Sequence, residues 1–108
     1  MDTFVALADP TRRNIIESLA AGERSFGELA DQFEMSRPAV SQHLKVLRDT
    51  GIVAVRADAQ RRIYRLSDEG LKEIDAWLAR VREYWTPRLN RLEQILNEPD
   101  EAEETTNE

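Results

Sequence analysis

Apolar and polar positions along the first third of the chain follow the spacing of short helices. Residues 4–8 favour a short first helix, and Pro10 begins a second that is expected to run to about Ala20. A third helix is expected next, because Ser25 and Glu28 have the spacing of a capping box.

A fourth helix is predicted after Ser36, a residue type that caps helix N-termini well. Val40, Leu44 and Leu47 then recur at the i, i+4, i+7 spacing that places side chains on one buried face. Gly51 lies where a C-terminal cap is expected. The fourth helix is therefore amphipathic, and its opposite face is polar.

Two β-rich runs, residues 52–57 and 62–66, follow the fourth helix, and residues 58–61 join them, which predicts a hairpin. A long helix comes next, since apolar residues recur at helical spacing from 74 to 96. Pro87 falls inside this stretch. Because the apolar spacing keeps its phase across Pro87, we expect one kinked helix rather than two.

The predicted order of elements is α-α-α-α-β-β-α, a mainly α fold with a small β-hairpin. Two helices joined by a short turn and followed by a hairpin make a winged helix-turn-helix. Residues 1–97 are expected to form this single domain. Residues 98–108 hold six acidic residues and no basic one, and we expect them to be a disordered tail.

The charge of the chain is strongly segregated. The formal net charge is -6, yet residues 36–66 carry seven Lys or Arg against two acidic residues. The fourth helix and the hairpin therefore form a basic block within an acidic protein. A basic block on a helix and a neighbouring hairpin is typical of a surface that binds double-stranded DNA.

Composition narrows the chemistry further. The chain has no cysteine, which excludes disulfides and thiolate metal sites, and His43 is its only histidine. It shows no signal-peptide pattern and no membrane-length apolar run, so we expect a cytoplasmic protein. A lone histidine without a matching nucleophile, and the lack of a glycine-rich phosphate loop, argue against an enzyme. No cofactor is expected.

The polar face of the fourth helix supplies the first candidate DNA contacts. Major-groove base edges are read by amides, hydroxyls and guanidinium groups, which favours Gln42 first, and then Ser41 and Arg37. Ser36, the histidine and Lys45 are better placed for phosphates, which set register without reading sequence. The alternative is an ordinary solvated helix face. The candidates on this helix are Ser36, Arg37, Pro38, Ser41, Gln42, His43 and Lys45.

The hairpin supplies the second group of candidate contacts. Arg61 and Arg62 lie at or beside its tip, where they can enter a neighbouring minor groove or lie along phosphates. In the second strand, Tyr64 and Leu66 share one face and Arg65 takes the other. The alternative is an edge strand whose charges only prevent pairing with other sheets.

The first and last helices carry more large apolar residues than the surface of a small monomer usually shows. Ile74 and Leu78 are expected to face the core, and the others to form a symmetric dimer interface. The expected interface residues are Phe4, Leu7, Trp77, Val81, Trp85, Leu89 and Leu92.

Several segments together resemble the arsenic-repressor (ArsR) family of winged-helix repressors. They are residues Leu7–Arg13, Glu28–Ala30, Ser36–Leu47, Gly51–Val53 and Arg62–Leu66. The resemblance covers nearly the whole chain except the acidic tail. It implies a homodimer that binds operator DNA and represses transcription. It also implies a recognition helix at Arg37–Asp49, with dimerisation through the first and last helices.

The chain departs from the metal sensors of that family. Their thiolate site lies on the short helix before the turn, where residues 26–31 contain no cysteine, and their other site needs histidine on the last helix, where this chain has none. The resemblance is therefore to members without metal ligands and with a Trp-rich last helix, matched by Trp77 and Trp85. No metal ligand is assigned.

Other interpretations remain open from the sequence alone. The winged helix can serve as a protein-interaction module instead of binding DNA. Alternatively, the chain can be a DNA-binding subunit whose effector sensing comes from a co-encoded partner protein. A non-thiolate metal site, for example Glu69 with Glu73 or Asp75, is a further alternative.

Overall fold

The computed structural model describes residues 2–97, which form five α-helices and a three-stranded antiparallel sheet. The helices are α1 (Thr3–Leu7), α2 (Pro10–Ala20), α3 (Phe26–Gln32), α4 (Arg37–Asp49) and α5 (Asp68–Leu96). The strands are β1 (Arg24–Ser25), β2 (Val53–Asp58) and β3 (Arg61–Leu66). The mainly α winged helix-turn-helix expected from the sequence is confirmed. The expected acidic tail lies outside the described residues.

The chain divides into two compact units, one ending at Asp75 and one beginning at Ala76. The first unit contains the sheet, α1 to α4 and the first turns of α5. Within the described residues, the second unit consists of the remainder of α5.

Side-chain caps fix where the helices of the first unit begin. Asp9 accepts a hydrogen bond from the N–H of Thr11 at 2.7 Å, and Pro10 occupies the first turn of α2. Ser25 and Glu28 form the predicted capping box, in which each side chain accepts a hydrogen bond from the backbone N–H of the other. The predicted starts of α2 and α3 are therefore confirmed.

The core of the first unit is built around the apolar face of α4. Val40, Leu44 and Leu47 are at most 1% exposed. They belong to one cluster with Ile15 of α2 and Leu29 of α3. The predicted buried stripe is confirmed, and burying each such side chain stabilises the fold by about 1.5–3 kcal/mol.

The sheet contains a strand that the sequence pattern did not predict. Its order is β1-β3-β2, and β1 pairs Arg24 with Tyr64 and Ser25 with Ile63. A two-residue strand is too short to show alternation, so the sequence gives no signal for it. Because β1 immediately precedes α3, this pairing connects the start of α3 to β3, the central strand of the sheet.

The hairpin is tighter than expected. Asp58 and Arg61 are cross-strand partners, so the connection is the two residues Ala59 and Gln60 rather than the four predicted. Ala59 has a φ of 57°, in the left-handed region that glycine usually occupies in such turns. The regular strand β3 therefore includes Arg61 at its start. Tyr64 is buried, Arg65 is exposed and Leu66 is half-buried, as expected if Tyr64 and Leu66 share one face of β3, but Ile63 on the other face is buried as well.

The end of α4 and the start of α5 meet through backbone. Gly51 follows the C-cap of α4 with a φ of 80°, and its carbonyl accepts a hydrogen bond from the N–H of Gly70 at 2.8 Å. Nearby, the buried hydroxyl of Thr3 donates to Glu73 at 2.7 Å and lies 3.4 Å from the carbonyl oxygen of Thr50. These contacts join α1, the end of α4 and the first turns of α5.

The long helix α5 continues through Pro87, which confirms the expected continuity. Ile74 packs against the core of the first unit, as expected. Leu78 is 39% exposed, so the expectation that it faces the core is wrong. Ile74 belongs to the first unit, whose core cluster it packs against, whereas Leu78 belongs to the second unit. No helix within residues 2–97 is long and apolar enough to cross a membrane.

We expect Gly70→Ala to destabilise the protein by about 1–3 kcal/mol, because overpacking forces the backbone to shift. A Cβ at Gly70 would lie 2.7 Å from three backbone atoms of Gly51 and Ile52. Urea denaturation followed by circular dichroism measures the effect. The matched control is Gly27→Ala, where the nearest atom would be the Ser25 hydroxyl oxygen at 3.9 Å. Equal effects of the two substitutions would contradict this role for Gly70.

Candidate nucleic-acid interface

The exposed face of α4 is the polar face that the sequence predicts. Arg37, Pro38, Ser41, Gln42 and Lys45 are all exposed, opposite the buried stripe. The burial of that stripe therefore aims these side chains away from the protein. They are held on a regular helix of 13 residues, which fixes their spacing.

Ser36 performs a structural task at the start of α4. Its hydroxyl oxygen accepts a hydrogen bond from the N–H of Ala39 at 3.2 Å, which confirms the predicted N-cap. The residue is exposed, so its hydroxyl also remains accessible at the N-terminus of the helix.

Two grooves lie between α4 and the hairpin. The larger, which we call the wing groove, has a volume of about 460 Å³ and is lined by Ser25, Phe26, Gly27, Arg37, Ser41, Gln60, Arg61 and Arg62. A smaller groove of about 90 Å³ adjoins it and is lined by Ser41, Leu44, Lys45, Arg48, Arg62 and Tyr64. Ser41 and Arg62 line both grooves. The wing and one side of α4 therefore enclose a continuous basic surface.

A third groove lies on the other side of α4. We call it the Gln42 groove; its volume is about 320 Å³ and it is lined by Arg12, Gln42, His43, Lys45, Val46 and Asp49. Ser41 and Gln42 are neighbours in sequence, but they line grooves on different sides of the helix. The candidate base-reading residues are thus divided between two surfaces.

His43 is half-buried and faces Arg12 of α2. The Nη1 atom of Arg12 lies 3.3 Å from the Nδ1 atom of His43. The same guanidinium donates to the carbonyl of Ala6 at 2.7 Å and to that of Val5 at 3.2 Å. Arg12 therefore links α1 to α4, and the imidazole of His43 is less accessible than the exposed side chains of Gln42 and Lys45.

The arginines of the wing differ in how they are paired. Arg61 lies 3.4 Å from a carboxylate oxygen of Asp58, and Arg56 lies 2.8 Å from one of Glu23. Arg62 makes no ion pair with any residue in the described part of the chain. Arg65, the fourth arginine of the wing, likewise makes no ion pair with those residues, but it lines neither groove on the wing side, whereas Arg62 lines both.

Hydrogen bonding lowers the pKa values of two carboxyl groups near these grooves, those of Asp9 and Glu28. The Ser25 N–H and hydroxyl lower the pKa of Glu28 from its ordinary value of 4.5. For Asp9, desolvation raises the pKa, but hydrogen bonds from the N–H groups of Thr11 and Arg12 outweigh it, and the net pKa is lowered. Both carboxylates are therefore held in the charged form.

Metal-binding groups do not assemble in the part of the chain that the structure describes. Between residues 2 and 97 there is no group of three or more His, Cys, Asp or Glu side chains placed to hold a metal ion. Of the carboxylates considered from the sequence, Glu73 accepts the hydrogen bond from Thr3.

The residues expected at a dimer interface fall in both units. In the first unit, Phe4 and Leu7 are half-buried. In the second unit Val81 is half-buried, and the larger side chains are exposed. Their exposed fractions are 42% for Trp77, 48% for Trp85, 57% for Leu89 and 50% for Leu92.

Sequence reasoning missed two basic residues that line these grooves. Arg12 is 31 positions from His43 along the chain, so no local pattern connects them. Arg48 belongs to the basic block but not to the contacts predicted from the sequence, although it lines the small groove with Lys45 and Arg62. Its i+3 spacing from Lys45 on one helix face was the available signal.

A short helix, a turn, an amphipathic helix with a polar exposed face and a basic hairpin beside it define a winged helix-turn-helix DNA-binding regulator. Residues 9–55 match the sequence model of the arsR family of bacterial regulatory proteins. The chain belongs to the ArsR family. It is a DNA-binding transcriptional regulator and not an enzyme.

The sequence aligns with named transcriptional regulators over most of its length. The chain is 46% identical over 92 residues to the HTH-type transcriptional regulator Rv2034 of Mycobacterium tuberculosis, which covers 85% of this chain and 83% of that protein. It is 31% identical over 77 residues to the transcriptional repressor SdpR of Bacillus subtilis, over 71% of this chain and 86% of that protein.

The fold is also similar to solved structures. A crystal structure described as a possible transcriptional regulator for arsenical resistance matches with a TM-score of 0.71 and 39% identity. The match covers 85% of this chain and 93% of the other. The family resemblance and the fold expected from the sequence are therefore both confirmed.

We expect Glu28→Gln to reduce stability at neutral pH and to lose this effect in acid. The lowered pKa means that the Glu28 carboxylate stabilises the fold above its unfolded-state pKa, and that this contribution disappears as pH falls through the folded-state pKa. Urea denaturation of both proteins between about pH 7 and pH 3 measures the difference. Glu34→Gln is the control for removing one exposed carboxylate after α3. A difference that stays constant with pH would contradict the capping role of the charge.

Proposed function

We propose that the chain is a homodimeric transcriptional repressor that binds an imperfectly palindromic operator, and that residues 1–97 form its DNA-binding and dimerisation domain. The observation that carries this proposal is the exposed polar face of α4 beside a wing whose Arg62 lines the same grooves. A helix of this kind fits the major groove, and the adjacent hairpin then lies over the flanking strand.

Gln42 is proposed as the main base-reading residue. Its amide can donate to and accept from an adenine edge in the major groove, and it is exposed on a rigid helix. Arg37 and Ser41 are the next candidates for base contacts, near the N-terminal end of α4. Pro38 is exposed in the first turn of α4, where its missing N–H costs the helix no hydrogen bond, and it is proposed to lie against the DNA.

Phosphate contacts are proposed for the remaining residues of the site. Ser36 and Lys45 flank the reading positions on α4, and Arg61 and Arg62 extend the basic surface onto the wing. His43 contributes from beside Arg12, whose guanidinium adds positive charge at the same place. Such contacts set affinity and register, and they make binding depend on salt.

The dimer is proposed to form through the apolar surfaces of α1 and α5. Regulators of this family bind operator DNA and commonly act as dimers. Trp77, Trp85, Leu89 and Leu92 expose large apolar side chains that a stable monomer would normally bury. A two-fold dimer presents two recognition helices to half-sites about 34–36 Å apart, or a multiple of that distance.

Effector sensing is proposed to differ from that of thiolate metal sensors. The chain contains no cysteine and carries two tryptophans in its last helix, so it fits the members that lack metal ligands. A co-encoded partner protein is one proposed source of the signal. A role purely as a protein-interaction module is not favoured, because the relatives with known designations are transcriptional regulators.

We expect Gln42→Ala to relax sequence preference and Arg62→Ala to weaken binding to all sequences. A lost base contact costs about 1–3 kcal/mol at one position, whereas a lost phosphate contact lowers the salt dependence by about one counterion. Gel shifts on the upstream region of the chain's own gene, at several salt concentrations, measure both effects. Lys72→Ala is the matched control, since Lys72 lines none of the three grooves. Specific binding that survives Gln42→Ala unchanged would contradict the assignment.

We expect Leu89→Glu to convert the dimer to monomers and to weaken operator binding by tenfold or more. A buried charge without a partner costs several kcal/mol, on the order of an interface hot spot. Sedimentation velocity at a series of concentrations measures the oligomeric state. Arg91→Glu, a charge change on the same exposed helix, is the control. A Leu89→Glu protein that remains a dimer would rule out this part of α5 as the interface.

A further inference from the structure

The wing groove is larger than a DNA phosphate requires. Its volume of about 460 Å³ falls in the range of about 300–1,000 Å³ typical of small-molecule sites. The adjoining groove on the same side of α4 has only about 90 Å³. The wing groove therefore combines a basic lining with room for an organic molecule, and unlike the Gln42 groove, whose volume is about 320 Å³, it is also lined by an apolar aromatic ring, that of Phe26.

The guanidinium groups of the wing groove are available to an incoming anion. Arg37 lies 3.9 Å from Asp31, and both side chains are mostly exposed. Arg61 lies 3.4 Å from Asp58 in a similarly exposed pair. Exposed pairs of this kind contribute little, so an acid group loses little when it replaces them. A carboxylate or phosphate can then form two-pronged hydrogen bonds with an arginine.

Phe26 gives the groove a fixed aromatic surface. Its ring is half-buried, packs against the core cluster and starts α3 directly after the Ser25 cap. The guanidinium carbon of Arg37 lies 5.9 Å from the centre of this ring. An aromatic ring beside guanidinium groups suits a ligand with a flat apolar body attached to an acid group. Ser41 and Gln60 add groups that both donate and accept hydrogen bonds.

Gly27 keeps the groove open beside Phe26. It lines the groove, and within 4 Å a Cβ added there would meet only the Ser25 hydroxyl oxygen, at 3.9 Å. An added Cβ is therefore accommodated, and we expect a larger side chain at this position to extend into the groove. Glycine also lowers helix stability by about 1 kcal/mol relative to alanine, so its presence in α3 has no benefit for the helix itself.

We propose that the wing groove binds a small organic acid, a carboxylate or phosphate carried on an aromatic or similarly flat apolar body, and that this ligand excludes DNA. The second part rests on the proposed function, because Arg37, Ser41, Arg61 and Arg62 are also the proposed DNA contacts. Ligand and operator then compete for the same residues, so an excess of either displaces the other. The groove would thus supply an inducer site to a chain without thiolate ligands.

The first experiment measures ligand binding without DNA. Phenyl phosphate and inorganic phosphate are titrated into the full-length protein by calorimetry at matched ionic strength. We expect phenyl phosphate to bind at least tenfold more tightly than inorganic phosphate, because only phenyl phosphate has a ring that can contact Phe26. Equal affinities for the two ligands would overturn the proposal, because they would show that the protein binds only the phosphate charge. Any basic surface that binds DNA phosphates would do the same.

Two substitutions locate the site. Gly27→Leu should weaken phenyl phosphate at least tenfold and leave inorganic phosphate unchanged, whereas Gly27→Ala should have a small effect. Arg62→Gln should weaken both ligands, and Lys72→Gln, with the same loss of charge outside the groove, should weaken neither. Circular dichroism and urea denaturation establish that each variant is folded. Phenyl phosphate binding that is unaffected by Gly27→Leu in a folded protein would overturn the assignment to this groove.

The second experiment tests exclusion of DNA. Phenyl phosphate is added to the operator complex at constant ionic strength, and excess operator should reverse the displacement. Displacement should require at least tenfold more phenyl phosphate in Gly27→Leu, which retains the proposed DNA contacts. Binding of phenyl phosphate without displacement would overturn the inducer role. Absence of any operator would refute the proposed function, while the calorimetric result would still decide whether the groove binds an organic acid.

Discussion

The structure depends first on the burial of one face of α4. Val40, Leu44 and Leu47 pack against α2 and α3, and this packing fixes the rotation of the helix about its own axis. Because an α-helix has 3.6 residues per turn, the residues that face the core determine which residues face solvent. The exposed face, the three grooves and the position of the wing beside α4 all follow from it. A rotation of α4 by one residue would bury Ser41 and expose part of the core.

Much of the fold was predictable because its signals are local. Helix starts depend on side chains that bond to backbone groups two or three residues away, as at Ser25 and Ser36. The buried stripe and the hairpin follow from spacing over one to two turns or strands. The continuity of α5 through Pro87 was also predictable, since the apolar spacing continues past this residue. The exposed candidates Arg37, Ser41 and Gln42 were predictable for the same reason.

The parts that were not predictable depend on residues far apart in sequence. Strand β1 exists because Arg24 and Ser25 meet Tyr64 and Ile63, some 40 positions later. The contact between Arg12 and His43 likewise joins different helices. The wing groove draws its lining from α3, α4 and the hairpin, so no single segment encodes it. The volume of a groove is a property of packing, and composition alone does not determine it.

The placement of Ser41 and Gln42 on different sides of α4 has a consequence for how such a protein changes over time. If Gln42 reads bases and the wing binds phosphates as proposed, substitutions on the Gln42 side alter which bases are preferred while the wing retains its contacts with the DNA backbone. Substitutions on the wing side then change affinity while base preference is retained. Lys45 lines a groove on each side of α4, so a substitution at Lys45 is expected to change base preference and affinity together.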